Sequence, residues 1–334
     1  MKCPVCLGEE ATILFRDYPG YQEPTSYDIA RCGECNTSFA LAEGVDWGPL
    51  YEAIYKKAAS VPGYSRYAIY ARDVLKVSAP LDHLASQEEA YWGIKEYLKS
   101  QALPVSSSIL EVGSGLGYLT FALNKNGYKA MGLDICDAAV FKARQLYGES
   151  YIRADLADYA EAHPGEFDLV IATEVIEHLP DIPAFLQACL RLVKPGGTLL
   201  VTTPNREAWA PDVIWEVEGP PVHLWWLSKQ SFQALADRMH GVVSFLDLSG
   251  FPGAASWKWG KGEKSRPVRK LPILDRFGEL TPPFRPKPLY RRLLSKLIRT
   301  IKDLPTWFEA ERKQGPSPTL CVIFRNSPTT GNGA

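Results

Sequence analysis

The chain has no run approaching the roughly 20 apolar residues that cross a bilayer, and its first residues, MKCPVCLGEE, lack the apolar core of a signal peptide. Charge of either sign is not in excess. The 37 Lys and Arg and 38 Asp and Glu leave a formal net charge of −1, which gives no global pull toward nucleic acid or membrane. The location expected is cytoplasmic, where disulfides do not persist. What remains is ordinary globular material: 334 residues, 46% hydrophobic and 22% charged, enough to enclose a real core.

Seven cysteines divide into four and three. Cys3, Cys6, Cys32 and Cys35 form a CxxC…CxxC pair of knuckles. In a reducing compartment that spacing predicts a structural Zn²⁺ held by four thiolates, with no open position for chemistry. Residues 1–40 are too few to build a core and depend on that metal. Cys136, Cys189 and Cys321 stand in apolar or helical context and read as small buried hydrophobes.

From 41 to 104 the sequence is aromatic and helical in pattern, and Tyr51, Tyr55 and Tyr64 are candidates to line a substrate lid. Over 105–249 the texture changes. SSILEVGS (107–114), KAMGLDI (129–135), FDLVIAT (167–173) and GGTLLVTTP (196–204) read as strands. The helices expected between them are YLTFALNKNG (118–127), DAAVFKARQLYG (137–148) and IPAFLQACLRLVKPGG (182–197). Alternation of this kind predicts βαβ units and an α/β fold, doubly wound around a mostly parallel sheet. Ser228 is placed to cap a further helix, VVSFLDLS follows as a strand, and TLCVIFRN, within the final strand and tail 316–334, comes much later.

Between these last two strands lies an insert, 250–315, whose charge the neutral total hides. Residues 250–303 hold 14 Lys or Arg against four acids, a local net charge of +10. Within it, PLYRRLLSKLIRTIKDL (288–304) spaces leucine and isoleucine as one helical stripe with Arg and Lys around the rest. That stripe either packs on the parent domain or meets an anionic surface, such as lipid or a phosphorylated substrate.

ILEVGSGLGYLT places Glu111, Gly113, Ser114, Gly115 and Gly117 at a strand-to-helix turn, where glycine lets backbone N–H groups approach a ligand. Asp134 and Ile135 end the next strand, and Asp155 and Leu156 follow the third. With EVIEHL and VKPGGTLLVTTPN further on, these motifs resemble in order the class I S-adenosylmethionine-dependent methyltransferases. The resemblance covers about 105–250 plus the late strand. It implies a seven-stranded Rossmann-like sheet, with S-adenosylmethionine held by its methionine part at 113–117 and by its ribose at Asp134. Asp155 and Leu156 would face the adenine, and Ile135 and Thr173 complete the implied set.

ATEVIEHLP (172–180) brings Glu174, Glu177 and His178 within five positions, on one face if the turn is helical. The segment resembles its counterpart in the ubiquinone-pathway O-methyltransferases and in the small-RNA terminal 2′-O-methyltransferases. That likeness implies a divalent ion held by the two glutamates and the histidine, with His223 as a further ligand. A second reading needs no ion: His178 is the general base, with the glutamates orienting it. A third makes the turn family scaffolding. The chain also resembles bacterial sugar C-methyltransferases that carry an N-terminal zinc ribbon. The expectation is therefore a methyltransferase acting on a hydroxyl or activated carbon of a sugar-like or other small metabolite. RNA is the rival acceptor, but Lys2, Arg16 and Arg31 face six acids up to Cys35, which makes the ribbon acidic. A scaffold that binds the cofactor without catalysis is the other rival.

Overall fold

A computed structural model describes residues 1–42, 44–45, 48–210, 219–252, 271–285 and 316–325. The amphipathic stretch 288–304, and most of the basic insert with it, lies outside the described residues.

Strands β1 (Ala11–Pro19), β2 (Ser26–Cys32) and β3 (Ser38–Ala40) form the ribbon, and four helices follow: α1 (Gly48–Lys56), α2 (Ser65–Asp73), α3 (Pro80–Gln87) and α4 (Glu89–Ser100). The alternating part runs β4 (Ser108–Val112), α5 (Tyr118–Lys125), β5 (Lys129–Asp134), α6 (Asp137–Tyr147), β6 (Tyr151–Arg153), α7 (Leu156–Ala162), β7 (Phe167–Thr173), α8 (Ile182–Leu192) and β8 (Val193–Pro204). It ends with β9 (Trp225–Trp226), α9 (Lys229–Arg238), β10 (Val242–Phe245) and β11 (Thr319–Arg325).

Among the described residues the main sheet has seven strands, in the order β10-β11-β8-β7-β4-β5-β6. β4 to β8 are parallel to one another, while β11 runs antiparallel to both β8 and β10. β4 and β7 are apolar on both faces because each is covered twice. Leu110, Val112, Val170 and Ala172 join Phe185 and Leu186 of α8 in one core. Ile109, Leu169 and Ile171 join Leu119 of α5 and Ile94 of α4 in the other. The period-2 alternation along the strands fixes which side chain goes where.

Two boundaries depart from the sequence reading. The helix expected over 182–197 stops at Leu192, and β8 begins at Val193. Pro195 has no N–H and disfavours helix at Lys194 before it, and Gly196 turns at φ 80°. Pairing therefore jumps from Phe167–Val193 to Leu169–Thr198, and the VKPGG stretch bulges. The ribbon, for its part, acquires a fourth strand from the main domain: β9 pairs antiparallel with β3, giving the order β1-β2-β3-β9. Ser228 caps α9 in a reciprocal box with Ser231, and the Ser228 hydroxyl also donates to the Cys35 carbonyl at 2.8 Å.

Of the insert, residues 271–285 fold back on the ribbon and on α1. Ile273 and Leu274 both donate to the Tyr21 carbonyl, and Lys57 donates to the Gly278 carbonyl at 2.8 Å. Among the described residues, no helix is long and apolar enough to cross a membrane.

Candidate functional site

The chain leaves β4 toward β5 and β6 on one side, and β7 is followed by β8 on the other. The crevice at the carboxyl ends of β4 and β7 is thus the point where strand order reverses, the usual ligand position in open α/β sheets. The glycine loop opens from β4 and the acidic turn from β7, and they touch. A Cβ on Gly113 would lie 2.5 Å from Val175.

The loop is braced from below. Gly113 and Ser114 both donate to the Leu133 carbonyl, at 2.8 and 3.1 Å. Glu111 Oε2 accepts the backbone N–H of Thr120 at 2.8 Å and the Thr120 hydroxyl, pinning the start of α5. Burial pushes the Glu111 carboxyl up to about 8. At the crest, Gly115 has φ 50° and its missing Cβ would meet nothing within 4 Å, so the backbone there is open to a ligand. Asp134 holds that crest: Oδ2 accepts from Gly115 N at 2.7 Å and Oδ1 from Cys136 N at 2.8 Å. Burial raises its pKa, and these N–H groups oppose the rise. A carboxylate has about four acceptor positions, so two remain for a diol.

Around the crevice, Ile135 leaves 63% of its surface open beside Asp134. Ser114 Oγ and Thr173 Oγ1 are buried hydroxyls without a hydrogen-bond partner among the described residues. A backbone crest open to close approach, a carboxylate for a diol, an exposed apolar side chain and unsatisfied hydroxyls fit an adenosyl cofactor. Asp155 is exposed and caps α7, accepting from Ala157 N at 2.8 Å and Asp158 N at 3.3 Å, with Leu156 as the first helical residue.

The acidic turn divides. Ile176–His178 makes a single 3-10 turn, but Glu174 has φ 54° and Val175 φ −124°, so Glu174 is out of helical register and the three side chains do not share one face. Glu174 accepts from the Thr202 hydroxyl at 3.3 Å. Its carboxyl is pushed up to about 7, chiefly by burial, with Arg66 opposing and Glu88 reinforcing. A left-handed non-glycine residue beside a crevice is backbone strain of the kind that gathers at functional sites.

Glu177 and His178 turn the other way, toward His223. Ligand atoms of these three lie within 4.8 Å of one another, and the two imidazoles meet edge to face at 4.5 Å. Glu177 is 1% exposed, with Oε2 accepting from the Thr203 hydroxyl at 2.9 Å and Oε1 lying 3.8 Å from His178 Nε2. His178 Nδ1 sits 2.6 Å from the Val222 carbonyl. A carbonyl only accepts, so Nδ1 carries the proton and Nε2 the lone pair. The Tyr51 hydroxyl lies 3.2 Å from Nδ1 and donates toward the same carbonyl at 3.5 Å. Burial lowers the His178 pKa to about 4, which keeps the ring neutral.

Periodicity missed the wall beside Glu174. Arg66 of α2 pairs with Glu88 at 2.8 Å and lies 4.7 Å over the Tyr67 ring. Tyr67 stacks on Tyr118, the first residue of α5, at 6.4 Å, and Tyr64 meets Tyr67 edge-on. An arginine inside the aromatic stretch GYSRYAIYARD was the available signal.

In the ribbon, Cys3 and Cys35 bring their sulfurs to 3.7 Å, Cys6 and Cys32 to 3.6 Å, and all four lie within 4.8 Å. A tetrahedral site with bonds of about 2.3 Å sets sulfurs about 3.8 Å apart, so the cluster is consistent with a small zinc-binding site.

Residues 86–240 match a family model described as "Methyltransferase domain". The ubiquinone biosynthesis O-methyltransferase of Thiobacillus denitrificans is 41% identical over 117 residues, 34% of this chain and 50% of that protein. The enzyme of the same name from Sodalis glossinidius is 38% identical over 114 residues, 32% of this chain and 46% of that protein. The chain thus spans about half the length of the curated relatives it matches. A solved S-adenosylmethionine-dependent methyltransferase from Mesorhizobium loti aligns over 72% of this chain and 100% of its own, at 14% identity and a TM-score of 0.42.

Proposed function

We propose, from the premise that residues 86–240 form a class I S-adenosylmethionine-dependent methyltransferase domain, that the chain methylates a hydroxyl of a small biosynthetic acceptor. The observation that carries this reading is the state of His178: Nδ1–H is fixed on the Val222 carbonyl, leaving Nε2, which lies 3.8 Å from Glu177 Oε1 and near His223, as the proton acceptor. S-adenosylmethionine supplies, when bound, a methyl group on a sulfonium open to in-line displacement. The chain's own task is alignment and proton removal. The 113–117 loop and Asp134 position the cofactor, and His178 Nε2 takes the acceptor proton as the new O–CH₃ bond forms. The buried Glu177 carboxylate, 3.8 Å away, stabilises the imidazolium. Named O-methyltransferases among the relatives favour a hydroxyl over an activated carbon. A sugar-like metabolite stays within that class, and the acidic ribbon disfavours RNA. Incubation with methyl-labelled S-adenosylmethionine and a small-molecule extract, followed by mass analysis, should give a labelled methyl ether. Cofactor that binds while label never leaves it would support only a binding protein.

A second reading is favoured by the convergence of Glu177, His178 and His223, which could hold a divalent ion that engages the acceptor hydroxyl. Glu174 stands apart from that group. The bond from His178 Nδ1 to Val222, and that from Thr203 to Glu177, are the outer-shell supports such a site requires.

The cysteine cluster is proposed to hold one structural Zn²⁺. Metal analysis should return about one zinc per chain, and Cys32→Ser should lose it. Folded wild-type protein without zinc would end this assignment.

A further inference from the structure

Segment 219–228 lies between the ribbon and the acidic turn and is bonded to both. On the ribbon side, Tyr21 N donates to the Pro220 carbonyl at 2.6 Å and Ala40 N to the Leu224 carbonyl at 2.9 Å. Phe39 and Ser38 pair with Trp225 and Trp226, and Ser228 reaches the Cys35 carbonyl. On the other side, Leu224 N donates to the Glu177 carbonyl at 2.8 Å, and Trp225 Nε1 to the Leu179 carbonyl at 2.6 Å. The Val222 carbonyl fixes the His178 ring, and His223 belongs to the same segment. Leu224 is thus tied by its carbonyl to a ribbon strand and by its N–H to the acidic turn.

The cofactor half has different supports. The glycine loop hangs on Leu133, Asp134 and Glu111, all in β4 and β5.

We infer that the cysteine ribbon is a positioning element of the acceptor half of the site, so that metal in the four-cysteine cluster fixes His178 and His223 but not the cofactor loop. The inference rests on the functional reading above. It implies that chain stripped of zinc still binds S-adenosylmethionine but cannot use it. Once the ribbon loosens, the two-residue strand β9 loses its only sheet partner among the described residues and keeps only its bonds to the acidic turn and that from Arg206 N to the Leu227 carbonyl.

The test compares zinc-loaded wild type, chelator-stripped wild type and zinc-loaded Ala40→Pro by amide exchange and by S-adenosylmethionine titration. Ala40 ends β3, and the substitution removes the donor to the Leu224 carbonyl while sparing the cysteines. In both perturbed samples, exchange at 176–179 and 221–227 should rise about tenfold or more while β4 and β5 stay protected. Cofactor affinity should stay within about threefold and labelled-methyl transfer should be lost. Faster exchange confined to residues 1–40 would make the ribbon a passenger and overturn the inference. Loosening that spreads to β4 and β5 with loss of cofactor affinity would overturn it too, since zinc would then only hold up the whole fold. If loaded wild type fails to bind S-adenosylmethionine, the methyltransferase reading falls, and this inference with it.

Discussion

His178→Ala is expected to reduce methyl transfer on the order of 10²-fold or more while S-adenosylmethionine affinity stays near wild type. The asymmetry follows from the geometry. His178 is held by Val222 and faces Glu177 and His223, whereas the glycine loop is braced by residues of β4 and β5. His178→Gln refines the test, since an amide can keep a bond to the Val222 carbonyl without taking a proton. If the group instead holds an ion, a chelator too weak to strip the four-cysteine site should abolish activity, and His223→Ala should match His178→Ala. Turnover preserved in both histidine variants would leave the turn as scaffold and remove both chemical readings.

The second large effect is at Asp134. Asp134→Ala should weaken S-adenosylmethionine binding by about 1.5 to 3 kcal/mol, or roughly 10- to 150-fold, because the buried carboxylate we propose as partner of the ribose is lost. The structure adds a further reason to the one the sequence offered. The same carboxylate accepts from Gly115 and Cys136, so its removal also releases the loop crest. Asp134→Asn can still accept at its carbonyl oxygen, and should lie between Ala and wild type. Unchanged affinity by calorimetry would mean that the cofactor sits elsewhere.

Much of this was legible in residue order because the physics was local. Apolar runs between glycines made β4, β5 and β7, and Ser228 made a cap. The CxxC knuckles drew four thiols together. What escaped was non-local or conformational. Glu174, Glu177 and His178 look like one helical face until a single left-handed residue sends Glu174 toward Thr202 and Arg66. No spacing rule shows that Tyr51 would reach His178, or that Trp225 and Trp226 would become a ribbon strand. Those contacts join segments far apart in sequence, and only the closed fold reveals them. Asp155 shows a different limit, for an acid after a strand reads equally as a ligand or as a cap, and here it caps α7.

The position of β11 bears on how the protein is made. Thr319–Arg325 is among the last described residues, yet it lies inside the sheet, between β8 and β10. Until the ribosome has delivered it, β8 and β10 each present a bare edge, the kind of surface on which nascent chains associate wrongly. The sheet therefore cannot close during synthesis of the insert, and a chain interrupted before residue 319 forfeits β10's place as well as β11's. The same arrangement explains why so long an insert is tolerated. Once the two ends are paired, each doubling of the connection adds only about 0.6 kcal/mol of closure cost. Length there is thermodynamically cheap, and the burden falls on timing.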